Sequence, residues 1–316
     1  MKIINFSQCK LKFGILLAIA LSISSCQVAP SSAPPANSSS VTRQQCEIDG
    51  SWVFIPSGEF IQGSDRTERD YAYRISAEAI DKTATEIKSA SRKLRQTGWF
   101  EGESDRQTKS LASYCISRNL VTNQEYQEFI QATNYPAPGI TEAEYQQQGF
   151  LVHPYSQVQK FLWHQGAYPQ NKARHPVVLI SYHDALAYGD WKENQTGGTY
   201  RLPTAAEWEK AARGTAGNYF PWGNDWRPDG TNSAASSLNY TSEIATFPLS
   251  KSPYGVEDMA GNVFEYTSTL TEQDSLVVMK GCSWDDLPGF CRGAYRHLRP
   301  VGSHHILFGF RLVKEK

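Results

Sequence analysis

The sequence lacks a basic run of the kind that follows a phosphate backbone, and it lacks an apolar run long enough to cross a bilayer. Its 316 residues carry a formal charge of −1, which becomes −4 if Lys2, Lys10 and Lys12 are removed with a leader. The apolar stretch nearest the start, residues 13–23, is far shorter than the roughly 20 residues of a spanning helix. These absences exclude a nucleic-acid-binding protein and an ordinary membrane-spanning segment.

The first 26 residues have the pattern of a bacterial lipoprotein signal. Lysines precede the apolar stretch, and Ser24, Ser25 and Cys26 follow it. We therefore expect a signal peptide over residues 1–25 and a lipid on Cys26, which places the protein in the cell envelope, facing the periplasm or the exterior. Gln27 favours the outer membrane, and the cytoplasmic membrane is the alternative.

Residues 26–45 are rich in Ala, Pro and Ser and contain no aromatic residue, which predicts an extended tether. About 270 residues remain from position 46 to 316, enough for one large domain. Four of the six cysteines lie in this domain, so three disulfide pairings are possible. We favour Cys46 with Cys115, because each lies near a strand-like segment of the first half.

Local patterns predict both strands and helices, an α+β domain. SWVFIPSGEFIQGS indicates two strands around a turn, whereas residues 65–113 are charged and Ala-rich and predict a helical insertion on the domain surface. Thr122 with Glu125, and Thr204 with Glu207, have the spacing of capping boxes at helix starts. We also expect Arg201 and Glu207 to form a buried pair.

The C-terminal segment KGCSWDDLPGFCRGAYRHLRPVGSHHILFGFRLV carries the most distinctive features and ends in an apolar closing strand. KGCSW, CRGAYR and GFRLV, preceded by RLPTAAEWEKAARG, FPWG and SPYGVEDMAGNVFEYT, resemble the formylglycine-generating enzyme family, or sulfatase-modifying factors. The resemblance covers residues 52–313. It implies a C-type-lectin-like fold with little regular secondary structure. The family contains oxidases, domains of sulfoxide synthases and members without known chemistry.

The resemblance also implies a calcium site. The family's ligands correspond to the side chains of Asp258 and Glu265 and to the carbonyls of Gly261 and Val263. These oxygen donors are of the type that calcium prefers. A second family site would use Asn232.

Oxidases of the family bind Cu(I) between two cysteines spaced Cys-x4-Cys, because soft thiolates select this ion. Cys291 corresponds to the second cysteine, but Asp286 occupies the position of the first. We therefore expect no Cu(I) site from this pair. Cys282 is the remaining candidate, but strand alternation would turn it away from the groove that Ser283 faces. Cys291 is either a reactive thiol or a buried, disulfide-bonded cysteine.

By the same resemblance, Cys291 and Ser283 are the candidate catalytic residues, and Trp284, Asp286 and Arg296 line the groove. His297, His304 and His305 with a neighbouring carboxylate could suggest an iron site. However, adjacent residues of an extended chain point to opposite sides, so we expect a polar groove containing histidine instead.

Three functions remain open at this point. The first is an envelope oxidoreductase acting on a protein or peptide group. The second is a non-catalytic module that binds a peptide or glycan, and the third is the target of a diversity-generating retroelement, which would vary near the C-terminus. Residues 285–313 contain no Lys, Glu, Gln, Met or Trp, as such variation would produce.

Overall fold

The computed structural model describes residues 41–149, 152–273 and 275–315. The predicted signal peptide, Cys26 and the tether up to residue 40 lie outside the described residues. The compact domain begins earlier than predicted, because Val41 is already buried and its carbonyl accepts a hydrogen bond from Ser113 Oγ at 2.8 Å. The tether predicted for residues 26–45 therefore does not extend to residue 45.

The described residues form eight α-helices and ten short strands in mixed order. The helices are α1 Arg43–Cys46, α2 Arg66–Ile80, α3 Ala84–Thr97, α4 Asn123–Thr133, α5 Glu142–Gln147, α6 Tyr155–Val158, α7 Tyr182–Thr196 and α8 Ala205–Arg213. The strands are β1 Trp52–Ile55, β2 Gly58–Gln62, β3 Gln107–Leu111, β4 Tyr114–Ser117, β5 Tyr200–Arg201, β6 Phe264–Leu270, β7 Leu276–Lys280, β8 His297–Pro300, β9 Phe308–Gly309 and β10 Val313–Lys314. Between α8 and β6 the chain forms only short 3-10 turns, at Ala234–Ser236 and Pro248–Ser250.

The strands form three small sheets. One has the order β1-β4-β10-β5, the second pairs β2 with β3, and the third has the order β8-β7-β6-β9. The predicted closing strand is in fact divided: Phe308–Gly309 pairs in parallel with β6, and Val313–Lys314 lies between β4 and β5. The end of the chain therefore joins two sheets, and both of its short strands pack into the core.

The predicted local signals are confirmed. Thr122 and Thr204 cap α4 and α8, and each accepts a hydrogen bond from the backbone of its partner glutamate three residues later. Arg201 forms the expected bidentate pair with Glu207, with both distances 2.8 Å, but the pair is only partly buried because the Arg201 side chain is 32% exposed. The favoured disulfide is also confirmed, because Cys46 at the end of α1 is bonded to Cys115 in β4.

The segment predicted as a helical surface insertion differs from the prediction in two ways. Its helices α2 and α3 end at Thr97, and Gln107–Leu111 is a strand paired with β2. Helix α2 also reaches the core, since Glu68 and Tyr73 are fully buried. The charge pattern gave no sign of this burial, because Glu68 forms ion pairs with Arg213 and Arg292, which are far away in sequence.

Among residues 41–149, 152–273 and 275–315, no helix combines the length and the apolar character needed to cross a membrane.

Candidate functional site

The candidate site begins where β7 ends. Gly281 follows Lys280 with a φ of +76°, and a Cβ at Gly281 would lie 3.3 Å from the Trp208 ring. The chain therefore leaves the strand before Cys282, so strand alternation does not determine where the Cys282 side chain points. Our prediction that Cys282 turns away from the site is wrong, because Cys282 is disulfide-bonded to Cys291.

The disulfide is enclosed by protein. Cys282 is 0% exposed and Cys291 is 1% exposed. Cys291 ends the 3-10 turn Pro288–Cys291, against which α2 packs. Gly289 donates its N–H to Ser76 Oγ of α2 at 3.0 Å, and a Cβ at Gly289 would lie 2.6 Å from the Phe100 ring. The candidate catalytic Cys291 is thus a buried, bonded cysteine in this structure, the second of the two states considered from sequence.

Asp286 closes the turn that Ser283 begins. The Asp286 carboxylate accepts hydrogen bonds from the backbone N–H of Ser283, at 2.8 Å, and from the Ser283 hydroxyl. Burial raises the pKa of Asp286 to about 6. The Asp286 carbonyl accepts the N–H of Ala234 at 3.1 Å, which ties the turn to the neighbouring loop. Ser283 is fully buried, so its hydroxyl serves the turn.

Trp284, predicted to line the groove, is instead buried beside this turn, at 1% exposed. Its ring lies 5.2 Å from the ring of His153 and is stacked on Phe161 at 6.1 Å. Phe161 is in turn stacked on the partly exposed Tyr240, with 4.0 Å between centroids. His153 Nε2 lies 3.3 Å from a carboxylate oxygen of Asp285, which is about one-third exposed. The rings therefore extend from the buried indole and imidazole to a surface where only Tyr240 and Asp285 are partly exposed.

Arg292, which directly follows Cys291, is buried, and the sequence analysis did not identify it as a site residue. Arg292 is 0% exposed and pairs with Glu103 at 2.5 Å and with Glu68 at 3.2 Å. The predicted groove residue Arg296 is only partly buried and donates to the Gly102 carbonyl at 3.4 Å. The dipeptide Cys291-Arg292 is the one feature of the sequence that could have pointed to this buried arginine.

Arg292 belongs to a buried charge cluster that joins α2, α8, β7 and the loop of Cys291. Three carboxylates contact three buried cations, and the partly exposed Arg106 approaches Glu68 from the edge at 3.5 Å. The members are Glu68, Glu103, Glu209, Arg213, Lys280 and Arg292. Such a cluster is tolerated in the interior only when every charge has a partner. It holds the insertion against the candidate site.

The three C-terminal histidines occupy separate surroundings. His297 is stacked on Phe264 at 4.3 Å, and burial lowers the pKa of His297 well below its usual value. His304 Nε2 lies 3.1 Å from Asp184, whereas His305 packs beside Phe308. In the part of the chain that the structure describes, no three His, Cys, Asp or Glu side chains are grouped to hold a metal ion. The suggested two-histidine iron site is therefore not assembled.

The residues that correspond to the calcium ligands fit an ion in part. Asp258 is 3% exposed, and burial raises its pKa to about 6; its Oδ2 accepts the N–H of Ala245 at 2.8 Å. A nearby cation stabilises the charged form of a buried carboxylate of this kind. Glu265 already has one, because Arg311 contacts both of its carboxylate oxygens. The carbonyl of Gly261 accepts the N–H of Val263 at 2.9 Å.

Asn232, predicted for a second site, is engaged within its own loop. Its side-chain oxygen accepts the Ser236 hydroxyl at 2.8 Å, its amide donates to the Tyr240 carbonyl, and its backbone carbonyl accepts the N–H of Asn262. Asn232 therefore orders the loop between α8 and β6.

Comparison with known proteins agrees with this architecture. The family model described as sulfatase-modifying factor enzyme 1-like domain matches residues 38–316. The mouse protein named inactive C-alpha-formylglycine-generating enzyme 2 is 31% identical over 221 residues, covering 59% of this chain and 68% of the mouse protein. The formylglycine-generating enzyme of Mycobacterium tuberculosis is 28% identical over 223 residues, covering 58% of this chain and 73% of that protein.

Among solved structures, PvdO from Pseudomonas aeruginosa superposes with a TM-score of 0.60 at 23% identity, over 84% of this chain and 94% of PvdO. This likeness concerns the fold, which is α+β and formylglycine-generating-enzyme-like, as predicted. The chain therefore belongs to the sulfatase-modifying factor (formylglycine-generating enzyme) family.

Proposed function

We propose that this chain is a ligand-binding member of its family that does not oxidise substrates through a two-thiolate copper site. The observation that carries the proposal is the disulfide between Cys282 and Cys291, beside the carboxylate of Asp286. A disulfide offers no thiolate, and a carboxylate is a hard ligand, whereas Cu(I) prefers soft thiolates. The two positions that correspond to the copper ligands of family oxidases are Asp286 and Cys291. In this chain Asp286 accepts hydrogen bonds within a turn, and Cys291 is disulfide-bonded.

The names of relatives do not decide between binding and catalysis, since one is called inactive and another a formylglycine-generating enzyme. The burial of this chain's residues favours binding. Helix α2 covers the turn that contains Cys291, and Ser283 is 0% exposed. A substrate group therefore has no open path to either candidate catalytic residue.

The ligand that the accessible surface suits is a protein or peptide group, or a glycan. Tyr240 and Asp285 lie at the edge of the ring stack around Trp284 and are partly exposed, so they offer part of a phenol ring and a carboxylate, whereas His153 and Trp284 are buried behind them. Amphipathic rings with a few polar groups are typical of sites that bind polar ligands.

The copper prediction can be tested with two matched variants. Cys282→Ser frees Cys291 but keeps Asp286, whereas Cys282→Ser with Asp286→Cys restores the spacing Cys-x4-Cys. We expect the unmodified protein and Cys282→Ser to bind no stoichiometric Cu(I), and the double variant to bind one equivalent, because only it offers two correctly spaced thiolates. Cu(I) is measured by competition with a chromogenic chelator.

The same proteins are then incubated with a Cys-x-Pro-x-Arg peptide, and formylglycine is measured by mass spectrometry. We expect none from the unmodified protein. One equivalent of Cu(I) bound to the unmodified protein, together with formylglycine in the peptide, would refute the proposal.

The second candidate function is an oxidoreductase that works after the disulfide is reduced. Cys282 and Cys291 form a disulfide, so reduction by a dithiol, which is itself oxidised to a disulfide, would leave two adjacent thiols. Cu(I) binding and oxygen uptake that depend on prior reduction, and that Cys291→Ser abolishes, would favour this candidate over a binding module.

We also propose that the protein is exported and lipid-anchored at Cys26. Two disulfides among the described residues support an oxidising compartment. We expect Cys26→Ser to release the protein from membranes, whereas the matched leader variant Cys9→Ser should remain anchored. Both are followed by membrane fractionation. Unchanged membrane association of Cys26→Ser would mean that the lipoprotein signal was misinterpreted.

Finally, we propose that calcium binds at Asp258, with the Gly261 and Val263 carbonyls as further oxygen ligands. The buried carboxylate of Asp258 supports this, and Glu265 would contribute while it remains paired with Arg311.

A hundredfold excess of calcium over its Kd should add roughly 2.7 kcal/mol to the free energy of unfolding. Asp258→Asn should abolish this gain, and the exposed-site control Asp229→Asn should keep it. Equal melting temperatures of the unmodified protein with calcium and with chelator would exclude the site.

A further inference from the structure

A groove of about 860 Å³ lies between α2 and α3, on a face of α2 different from the one that packs on the Cys291 turn. Helix α2 lines it with residues spaced three and four apart, and α3 does the same over almost its whole length. The lining residues are Thr67, Asp70, Tyr71 and Arg74 from α2, and Ala84, Ile87, Lys88, Ser91, Arg92 and Arg95 from α3. This spacing puts each set on one helix face.

The groove has a partly apolar floor between its two helical walls. Tyr71 and Ile87 are partly buried within it, and the Arg74 guanidinium lies over the Tyr71 ring at 4.9 Å. The small side chains of Ala84 and Ser91 leave room above Ile87. The two helices are held together elsewhere, because Ala90 and Leu94 of α3 are buried in the core. The groove is therefore a consequence of side-chain size on this helix pair.

The rim of the groove is strongly cationic. Four basic side chains face one acidic side chain, Asp70, in a chain whose formal net charge is −1. Arg95 pairs with Asp70 at 2.5 Å, and Arg74 pairs with Glu78 at 3.1 Å. Lys88 and Arg92 are exposed, and no ion pair involving either is formed among the described residues. The excess positive charge is thus concentrated at these two residues.

We propose that this groove binds an acidic amphipathic helix of a partner protein. Its α3 wall extends over 11 residue steps, about 16 Å at 1.5 Å per residue, which matches about three turns of a bound helix. Apolar side chains of the bound helix would contact Tyr71 and Ile87, and its Glu or Asp side chains would pair with Lys88 and Arg92. A flat membrane surface would not enter a concave groove, so a protein segment fits better than a lipid headgroup.

The proposal concerns a surface distinct from the turn of Cys282 and Cys291 and does not depend on the copper chemistry. The probe is a dye-labelled model peptide with leucines on one helical face and glutamates beside them. A second peptide replaces each glutamate by glutamine. Binding to the full domain is measured by fluorescence anisotropy at low and high salt, because charge pairing at an exposed rim weakens with ionic strength.

We expect the acidic peptide to bind, the glutamine peptide to bind at least tenfold more weakly, and added salt to weaken the acidic complex. Lys88→Glu with Arg92→Glu should reduce affinity for the acidic peptide at least tenfold. The matched pair Lys82→Glu with Lys93→Glu makes the same change in net charge outside the groove and should reduce it less than threefold. Circular dichroism and thermal melting establish that both pairs remain folded, and Lys88→Gln with Arg92→Gln provides a milder version.

Three results would overturn the proposal. Equal losses in the groove pair and the matched pair would indicate general charge attraction. Absence of acidic-peptide binding at millimolar peptide would remove the groove as a helix-binding site. Sedimentation with phosphatidylglycerol vesicles that requires Lys88 and Arg92, without peptide binding, would assign the rim to a membrane surface.

Discussion

Arg311→Met is expected to lower the free energy of unfolding by about 3–5 kcal/mol. Arg311 and Glu265 are both essentially unexposed, at 0% and 1%, and two hydrogen bonds of 2.6 and 2.9 Å join them. Removing the guanidinium leaves the Glu265 carboxylate buried without its partner, and the Glu257 carbonyl also loses a donor. The loss therefore comes mainly from an unpaired buried charge.

Urea unfolding at neutral pH measures the effect. Arg74→Met is the matched control, because Arg74 and Glu78 form an exposed pair whose removal should change stability by less than about 1 kcal/mol. Adding Glu265→Gln to Arg311→Met should recover part of the loss, since no buried charge then remains unpaired. If Arg311→Met costs no more than Arg74→Met, the pair does not have the role assigned to it.

Features set by residues close in sequence could be predicted from the sequence. The capping boxes of α4 and α8 depend on residues three positions apart, and the Arg201–Glu207 pair depends on residues six apart. The order of the motifs over residues 52–313 was enough to identify the family and its fold. Local geometry also explains the wrong prediction: Gly281 ends the strand pattern with a positive φ, which allows Cys282 to meet Cys291.

The buried charge cluster could not be predicted in this way. Glu68 lies in a stretch whose charge is typical of a solvated face, but its partners Arg213 and Arg292 are 145 and 224 residues away. Only the packing of α2 against α8 and the Cys291 turn brings them together. The same packing buries the candidate catalytic residue, so the burial of Cys291, unlike its bond to Cys282, depended on contacts that no local pattern encodes.

Removing the Cys46–Cys115 disulfide is expected to destabilise the domain more than removing the Cys282–Cys291 disulfide. The first closes a loop with a sequence separation of 69 residues, and the second a loop with a separation of 9. In the chain-entropy model a cross-link restricts the unfolded chain, and these separations correspond to about 4 and about 3 kcal/mol. Both pairs are buried, so paired cysteine-to-alanine variants remove similar side-chain volume from the core.

The comparison uses Cys46→Ala with Cys115→Ala and Cys282→Ala with Cys291→Ala, unfolded in urea without reductant. We expect both to lose stability and the first to lose more, by about 1–2 kcal/mol. A larger loss in the second pair would mean that the Cys282–Cys291 bond acts mainly by holding the native turn under α2. The relative size of the two losses also matters for the copper test. If the short loop contributes the smaller loss, Cys282→Ser remains folded, and its copper content then depends on which ligands are present rather than on unfolding.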